Sequence, residues 1–335
     1  MSTKGLNRNL QTAKSSKKDE FYTQLSDIER ELKHYKSHFK NKIVYCNCDD
    51  PRVSNFFHFF SYNFESLGLK KLIGTCYKNQ EMDLFSENKS ENAIILEYSG
   101  DKNGNSVPDK NEIGVKKLKG DGDFRSKECI ELLKQSDIIV TNPPFSLFRE
   151  FVTQLVQYDK KFLIVGSFNA ITYKEIFKLV QENKLWLGYG FKGGNAFFKT
   201  PHLKEFAKGV YDEETGLVKF RNVTWYTNLD ISKRHEQQIL YKEYNPKEYP
   251  TYDNYNAIEV SKVADIPGNY NGVMGVPITF LDKYNPSQFE IVGSDSDVKS
   301  GLLPEIVKSG WTGKTDRAYI NGKRMYARLL IKLNK

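Results

Sequence analysis

A chain of 335 residues is long enough to bury a substantial core in one large domain or two. Its net charge of +8 and pI near 9.0 suit a polyanionic partner such as phosphate, and no run approaches membrane-spanning length. The polar amino terminus lacks a signal peptide's apolar segment, so a cytoplasmic protein is expected.

The first eighteen residues hold five basic and no acidic side chains, a basic arm over 1–18. Periodicity then predicts a helix over Gln24 to Phe39, in which His34 and His38 stand one turn apart with no third ligand in sight. A strand at Lys42 to Cys46, a turn at Asn47 to Pro51 and a helix from Ser54 to Leu67 make the strand-turn-helix geometry that directs backbone N–H groups toward a ligand. Cys46, Cys48, Cys76 and Cys129 show no C-x-x-C spacing and are read as reduced thiols, so no metal site is expected.

Next come strands at Lys70 to Cys76, Ala93 to Tyr98 and Gly114 to Lys119, the last two flanking a polar, glycine-containing turn. A calcium loop starting at Asp121 would need oxygens at positions five and twelve, where Arg125 and Leu132 stand. Helices are predicted over Glu128 to Gln135, Leu147 to Tyr158 and Tyr173 to Glu182, and strands over Asp137 to Thr141, Lys161 to Val165, Lys184 to Gly188 and Asn222 to Asn228. This alternation argues for an α/β sheet with parallel strands. Beyond about Leu229 short strand-like pieces such as Ile278 to Leu281 and Tyr326 to Ile331 replace long helices. Lys299 to Lys335 hold nine basic against two acidic residues, with Trp311, Tyr319 and Tyr326 interleaved, as expected where phosphates are neutralised.

The most informative stretch is S-D-I-I-V-T-N-P-P-F-S, Ser136 to Ser146. Ile138, Ile139 and Val140 form a run suited to a strand buried on both faces, and Asn142-Pro143-Pro144-Phe145 falls where that strand must end, the edge at which open α/β sheets bind ligands. Neither proline has an N–H and both have fixed φ, so carbonyls here point outward without a donor beside them. Together with the side-chain carbonyl of Asn142, they can accept both protons of a planar exocyclic amine, draw its lone pair out of conjugation and stabilise positive charge as nitrogen attacks an electrophile. Phe145 offers a flat face to the ring. A methyl sulfonium is the fitting electrophile, although the tetrapeptide alone would also serve cytosine, guanine or glutamine amide methylation.

At these residues the chain resembles the amino-methyltransferases. The blocks K-D-E-F-Y-T-Q (Lys18 to Gln24), V-Y-C-N-C-D-D-P-R-V-S-N-F-F (Val44 to Phe57), G-D-G-D-F-R-S (Gly120 to Ser126), T-N-P-P-F-S-L-F-R-E (Thr141 to Glu150) and Y-N-G-V-M-G-V-P-I-T-F-L (Tyr270 to Leu281) resemble the EcoRI-type adenine-specific DNA methyltransferases in one order along the chain. The resemblance implies a seven-stranded, mostly parallel, Rossmann-like sheet with its antiparallel strand at Val223 to Thr227, using S-adenosylmethionine and followed by a DNA-recognition extension. The catalytic domain is accordingly expected over 1–230 and the recognition region over 231–335.

The resemblance further implies that Cys46, Asn47, Asp49, Asp50 and Pro51 replace the glycine-rich turn that usually binds the donor, and that Tyr22 and Thr23 lie against it. Gln24 stands where the family block F-Y-T-P has proline. Asp121 or Asp123 can accept from the donor's adenine amino group, with Phe124 packing on that ring. The strand L-I-G-T-C-Y-K ends without a ribose-binding carboxylate, which leaves Tyr77 as a candidate contact. Base pairing hides the adenine amino group, so the target must leave the stack. Phe198, or alternatively Phe197, matches the family segment that adds a second aromatic face. Double-stranded DNA is the expected partner of a monomer that shares its site with a cognate restriction endonuclease. RNA or protein-glutamine methylation, and a silent DNA-binding relative, are the rival readings.

Overall fold

The computed structural model describes residues 21–77, 93–200 and 209–334; the basic arm over 1–18 lies outside them. The described residues of Met1–Lys178 and Leu185–Leu229 form one compact unit, and those of Leu179–Lys184 and Asp230–Lys335 a second.

The first unit is built on an eight-stranded sheet: β1 (Ile43–Cys46), β2 (Lys71–Thr75), β3 (Ile94–Tyr98), β4 (Gly114–Lys117), β5 (Ile138–Thr141), β6 (Lys161–Ser167), β7 (Trp186–Leu187) and β8 (Val223–Thr227), in the spatial order 4-3-2-1-5-6-8-7. β1 pairs parallel with β2 and β5, and β5 with β6. β8 runs antiparallel between β6 and β7, where the family fold places its reversed strand. The sheet departs from seven mostly parallel strands at the other edge. There β3 pairs antiparallel with β2, and β4 turns back on it as a hairpin. A short buried apolar run reads the same in either direction, so periodicity could place β3 but not orient it.

Helix α1 (Leu25–Leu32) is shorter than predicted; the chain continues into a 3-10 turn, Lys36–His38, and His34 stacks on Tyr189 with ring centroids 3.6 Å apart. The helix predicted to Leu67 is split. Ser54 Oγ caps α2 (Asn55–Tyr62) by accepting from Phe56 N–H, and the Asn63 amide donates to the Phe59 carbonyl where the helix stops. A single turn, α3 (Phe64–Leu67), then ends on left-handed Gly68. Phe56, Phe57, Phe59 and Phe60 of α2 are buried. On the far side of the chain order, α4 (Lys127–Gln135) is capped by Ser126, and α5 (Phe148–Gln157) buries Phe148, Phe151, Val152 and Leu155. Helix α6 (Lys174–Gln181) follows close to its predicted place.

A second, four-stranded antiparallel sheet joins Tyr22–Thr23 to Asn195–Lys199, and these to Leu217–Arg221 and Tyr211–Asp212. It brings two segments far apart in the chain into register, Tyr22 opposite Lys199 and Thr23 opposite Phe198.

In the second unit, Ala257–Glu259, Val273–Val276, Leu329–Leu333 and Phe289–Ser294 form a sheet in that order, so the predicted strand near Tyr326 to Ile331 is found slightly later. Ile278 to Leu281, expected as a strand, is a 3-10 turn behind Pro277. Arg328 crosses this unit's core, its guanidinium 2.6 Å from Glu259. Nearby, the Asp295 carboxylate accepts from Arg328 N–H at 2.6 Å. Burial pushes the Asp295 carboxyl up to about 6, with Arg328 N–H and the Arg317 guanidinium opposing the rise.

The folded state therefore binds this proton more tightly than the unfolded chain does. The group's stabilising contribution is complete below about pH 4 and is lost as pH rises through 6. Asp295→Asn is expected to flatten this slope and to raise stability at pH 8 by on the order of 2 kcal/mol, since an amide oxygen can still accept from Arg328 N–H. Urea unfolding midpoints of both proteins at pH 4.5 and 8 check it; an unchanged slope contradicts it.

Candidate active site

Because β1, β2 and β5 run parallel, their carboxyl ends emerge at one edge of the sheet, and the loops that follow meet there. Thr141 Oγ1 hydrogen-bonds the Asn47 carbonyl, tying the end of β5 to the loop after β1. Gly122 sits at φ +76° against the end of β2, where a Cβ would lie 2.0 Å from the Cys76 carbonyl oxygen. Only glycine permits the loop over Gly120 to Phe124 to approach so closely.

Asn142 lies at the centre of this edge and is 6% exposed. Its Nδ2 donates to the Phe21 carbonyl at 2.6 Å, which fixes the amide so that Oδ1 is the acceptor left over; that oxygen is buried and has no hydrogen-bond partner. Leu147 N–H closes on the Pro144 carbonyl at 2.9 Å, so that carbonyl is already used. Thr23 Oγ1 and Asn47 Oδ1 are likewise buried without a partner. Each unpartnered group costs roughly 1–3 kcal/mol unless a ligand satisfies it. All three belong to segments singled out in the sequence.

The carboxylates divide by their partners. Asp50 is clamped by Arg52, with Nη2 2.6 Å from Oδ2 and both Nε and the backbone N–H on Oδ1 at 3.0 Å, so it closes its own turn. Asp49, also buried, accepts from Ser54 Oγ at 3.2 Å. The Arg125 guanidinium holds the Asp123 carboxyl below the usual range with bonds of 2.6 and 2.8 Å, whereas Asp121 accepts the Asp123 N–H at 3.0 Å. Phe124 is buried edge-on to Phe151, with the Arg125 guanidinium 5.2 Å from its ring centroid. Burial, with Asp49 beside them, raises the thiols of Cys46 and Cys48 well above their ordinary value, so both are neutral packing groups. Pro51 packs where Gly74 of β2 leaves room; a Cβ there would stand 2.7 Å from the proline.

Three other phenylalanines pack around Phe145 of the motif. Phe145, half-buried, stacks on Phe21 at 6.3 Å and meets Phe198 and Phe220 edge-on at 6.2 and 6.0 Å. Phe198 is fully buried in this wall, while Phe197, on the other side of the strand, is 38% exposed with Lys219 Nζ 5.8 Å from its ring. Tyr77, at the end of β2, is half-buried. Phe21, Asn55 and Phe220 were missed in the sequence. Asn55 Nδ2 donates to the Thr23 carbonyl at 2.7 Å and so anchors the segment that also holds Asn142. No sequence pattern marks such main-chain contacts.

A family model described as adenine-specific methyltransferase EcoRI matches residues 9–334. The chain belongs to the EcoRI adenine-specific methyltransferase family. It is 48% identical over 337 residues to the type II methyltransferase M.EcoRI of Escherichia coli, an alignment covering 99% of this chain and 98% of that protein. The type II methyltransferases M.MgeORF184P of Mycoplasma genitalium and M.MpnI of Mycoplasma pneumoniae are 39% and 38% identical, each over 96% of this chain and over 97% and 96% of their own lengths. No solved structure matches. The resemblance carried by the five blocks thus extends over residues 9–334, and the chain is an adenine-specific methyltransferase. Among the described residues no helix is long and apolar enough to cross a membrane.

Proposed function

We propose that this chain methylates N6 of an adenine turned out of duplex DNA, using S-adenosylmethionine, as the modification enzyme of a type II restriction-modification system. The observation that carries the reading is the buried, unpartnered Oδ1 of Asn142, oriented by the Phe21 carbonyl at the carboxyl end of β5. Asn142 Oδ1 and the Pro143 carbonyl would accept the two amino protons, since the Pro144 carbonyl is engaged by Leu147. The nitrogen lone pair is then freed for attack, and positive charge is stabilised as the new N–C bond forms. Phe145 provides the ring face, with Phe198 holding its edge. The proton leaves the nitrogen only after transfer, so no general base is needed to start.

S-adenosylmethionine, when bound, supplies a methyl group activated on a sulfonium, whose C–S bond breaks as the N–C bond forms. The donor fits here because Thr23 Oγ1 and Asn47 Oδ1 are buried polar atoms without a partner at the same sheet edge. We assign Asp49 and Asp121 to it from their places beside Asn47 and Gly122; Asp50 and Asp123 close onto Arg52 and Arg125. Gly122→Ala is expected to cost about 1–3 kcal/mol of stability and to weaken donor binding about tenfold, since a Cβ collides with backbone rather than a movable side chain. Calorimetric titration with S-adenosylmethionine checks it; wild-type affinity contradicts it.

For DNA, the second unit is the recognition region we infer. Fewer of its basic residues are available than the sequence suggests: Arg328 pairs with Glu259, Arg324 with Asp316, and Lys308 donates to the Tyr252 carbonyl. Lys323 and the 84% exposed Tyr326 remain as surface candidates for phosphate and base contact. A monomer acting alongside a cognate endonuclease completes the reading.

Transfer of label from tritiated donor into duplex DNA, RNA and a protein mixture, followed by mass spectrometry of the nucleosides, tests the assignment. N6-methyladenine from the duplex supports it. Label confined to RNA or to glutamine amide, or absent from all three despite donor binding, overturns it.

A further inference from the structure

The twelve-residue spacing that fails from Asp121 is met twenty residues earlier, in the connection from β3 to β4. Calcium loops of the EF-hand kind take oxygens from positions one, three, five, seven, nine and twelve, with the backbone at position six turned into a left-handed conformation. In D-K-N-G-N-S-V-P-D-K-N-E those positions are Asp101, Asn103, Asn105, the Val107 carbonyl, Asp109 and Glu112. Position six is Ser106, which adopts φ +58° where glycine is usual.

The loop is already wound as such sites are. Asp101 accepts from the N–H groups of Asn103, Gly104 and Ser106 at 3.1, 2.7 and 2.7 Å, Asn103 from Asn105 at 3.0 Å, and Asn105 from Val107 at 2.8 Å. Asp109 accepts from Asn111 and Glu112 at 2.7 and 3.2 Å.

Internal bonds of this kind could serve a plain surface loop. Glu112 cannot be explained that way. It is only 7% exposed on an otherwise solvated loop, and while Oε1 accepts from Lys102 and Asn103 N–H at 2.6 and 3.2 Å, Oε2 is buried with no donor at all. Its carboxyl also lies within hydrogen-bonding reach of that of Asp101. A buried, half-satisfied carboxylate facing a second one lacks a cation. The three carboxylates by themselves make no metal cluster among the described residues; two side-chain amides and a main-chain carbonyl complete an all-oxygen set, which suits a hard cation.

We propose that Asp101 to Glu112 is a calcium-binding loop that pins the β3–β4 hairpin, a site separate from the methyl-transfer chemistry. Its affinity falls in the range of about 10⁻⁵–10⁻³ M, because only three ligands are charged and serine replaces the turn glycine. Magnesium, which demands tighter octahedral geometry, binds at least about tenfold more weakly.

The test is titration of full-length, chelator-stripped protein with calcium chloride and, separately, magnesium chloride, by calorimetry and by thermal unfolding. The expected result is one calcium per chain with a matching rise in Tm. Glu112→Gln and the exposed Asn105→Ala should each weaken binding about tenfold or more. Asn105→Ala removes a surface side chain, so its folding, checked by circular dichroism, is secure even where Glu112→Gln is not. No heat and no Tm shift up to about 10 mM calcium, or unaltered affinity in folded Asn105→Ala, overturns the proposal.

Discussion

Asn142→Ala should lower the single-turnover rate of methyl transfer by about 10²–10³ or more while leaving duplex affinity within a few-fold of wild type. In the proposed reaction the side chain presents one atom, Oδ1, to the amine, while its other atom is spent on the Phe21 carbonyl. Removing it takes away an acceptor whose interaction strengthens as the nitrogen becomes positive, which is a loss in the transition state and not in binding. Asn142→Asp sharpens the test. The carboxylate still offers an acceptor but cannot donate to Phe21, so two oxygens would face each other across the former 2.6 Å hydrogen bond. Its rate should fall between wild type and Asn142→Ala. Rapid-quench assays with labelled donor, with anisotropy of a labelled duplex in parallel, provide the readout; an Asn142→Ala enzyme of wild-type rate removes the role assigned to this residue.

Arg328→Leu should destabilise the second unit by about 3–5 kcal/mol, because it strands the Glu259 carboxylate in a core where both side chains of the pair are under a tenth exposed. Glu259 also receives the Tyr252 hydroxyl and Ser261 Oγ, the latter at 2.9 Å, but neither carries a compensating charge. The double variant Arg328→Leu, Glu259→Leu should recover much of that loss, since a desolvated ion pair is worth little more than the apolar packing that replaces it. Urea unfolding of the single and double variants distinguishes a broken pair from a lost side chain. Equal destabilisation by both would mean that packing, not charge, is what Arg328 supplies.

How far the sequence is legible depends on whether the governing contacts are local. The strand Ile138–Thr141 and its tetrapeptide were plain, because an apolar run followed by two prolines has few other ways to fold. β8 was placed through family likeness, and its reversal between β6 and β7 agrees. What periodicity could not supply was partnership. The direction of β3, the pairing of Thr23 with Phe198 and the burial of Phe198 all depend on residues far away in the chain. The acidic candidates failed to separate for the same reason in miniature. Asp49 and Asp50 are adjacent letters, yet an arginine two positions on commits the second and leaves the first facing Ser54. In the Asp101 loop the left-handed turn position is serine instead of glycine, so the sequence alone reads as an ordinary polar turn.

The bond from Asn142 to Phe21 makes the amide's orientation depend on the path of the main chain. What steadies the Asn142 amide is a main-chain oxygen, so exchanging the Phe21 side chain cannot remove it, but displacing the strand that follows can. Displacing that segment would let the amide rotate half a turn and turn its donor end outward, with every side chain of the proposed site intact.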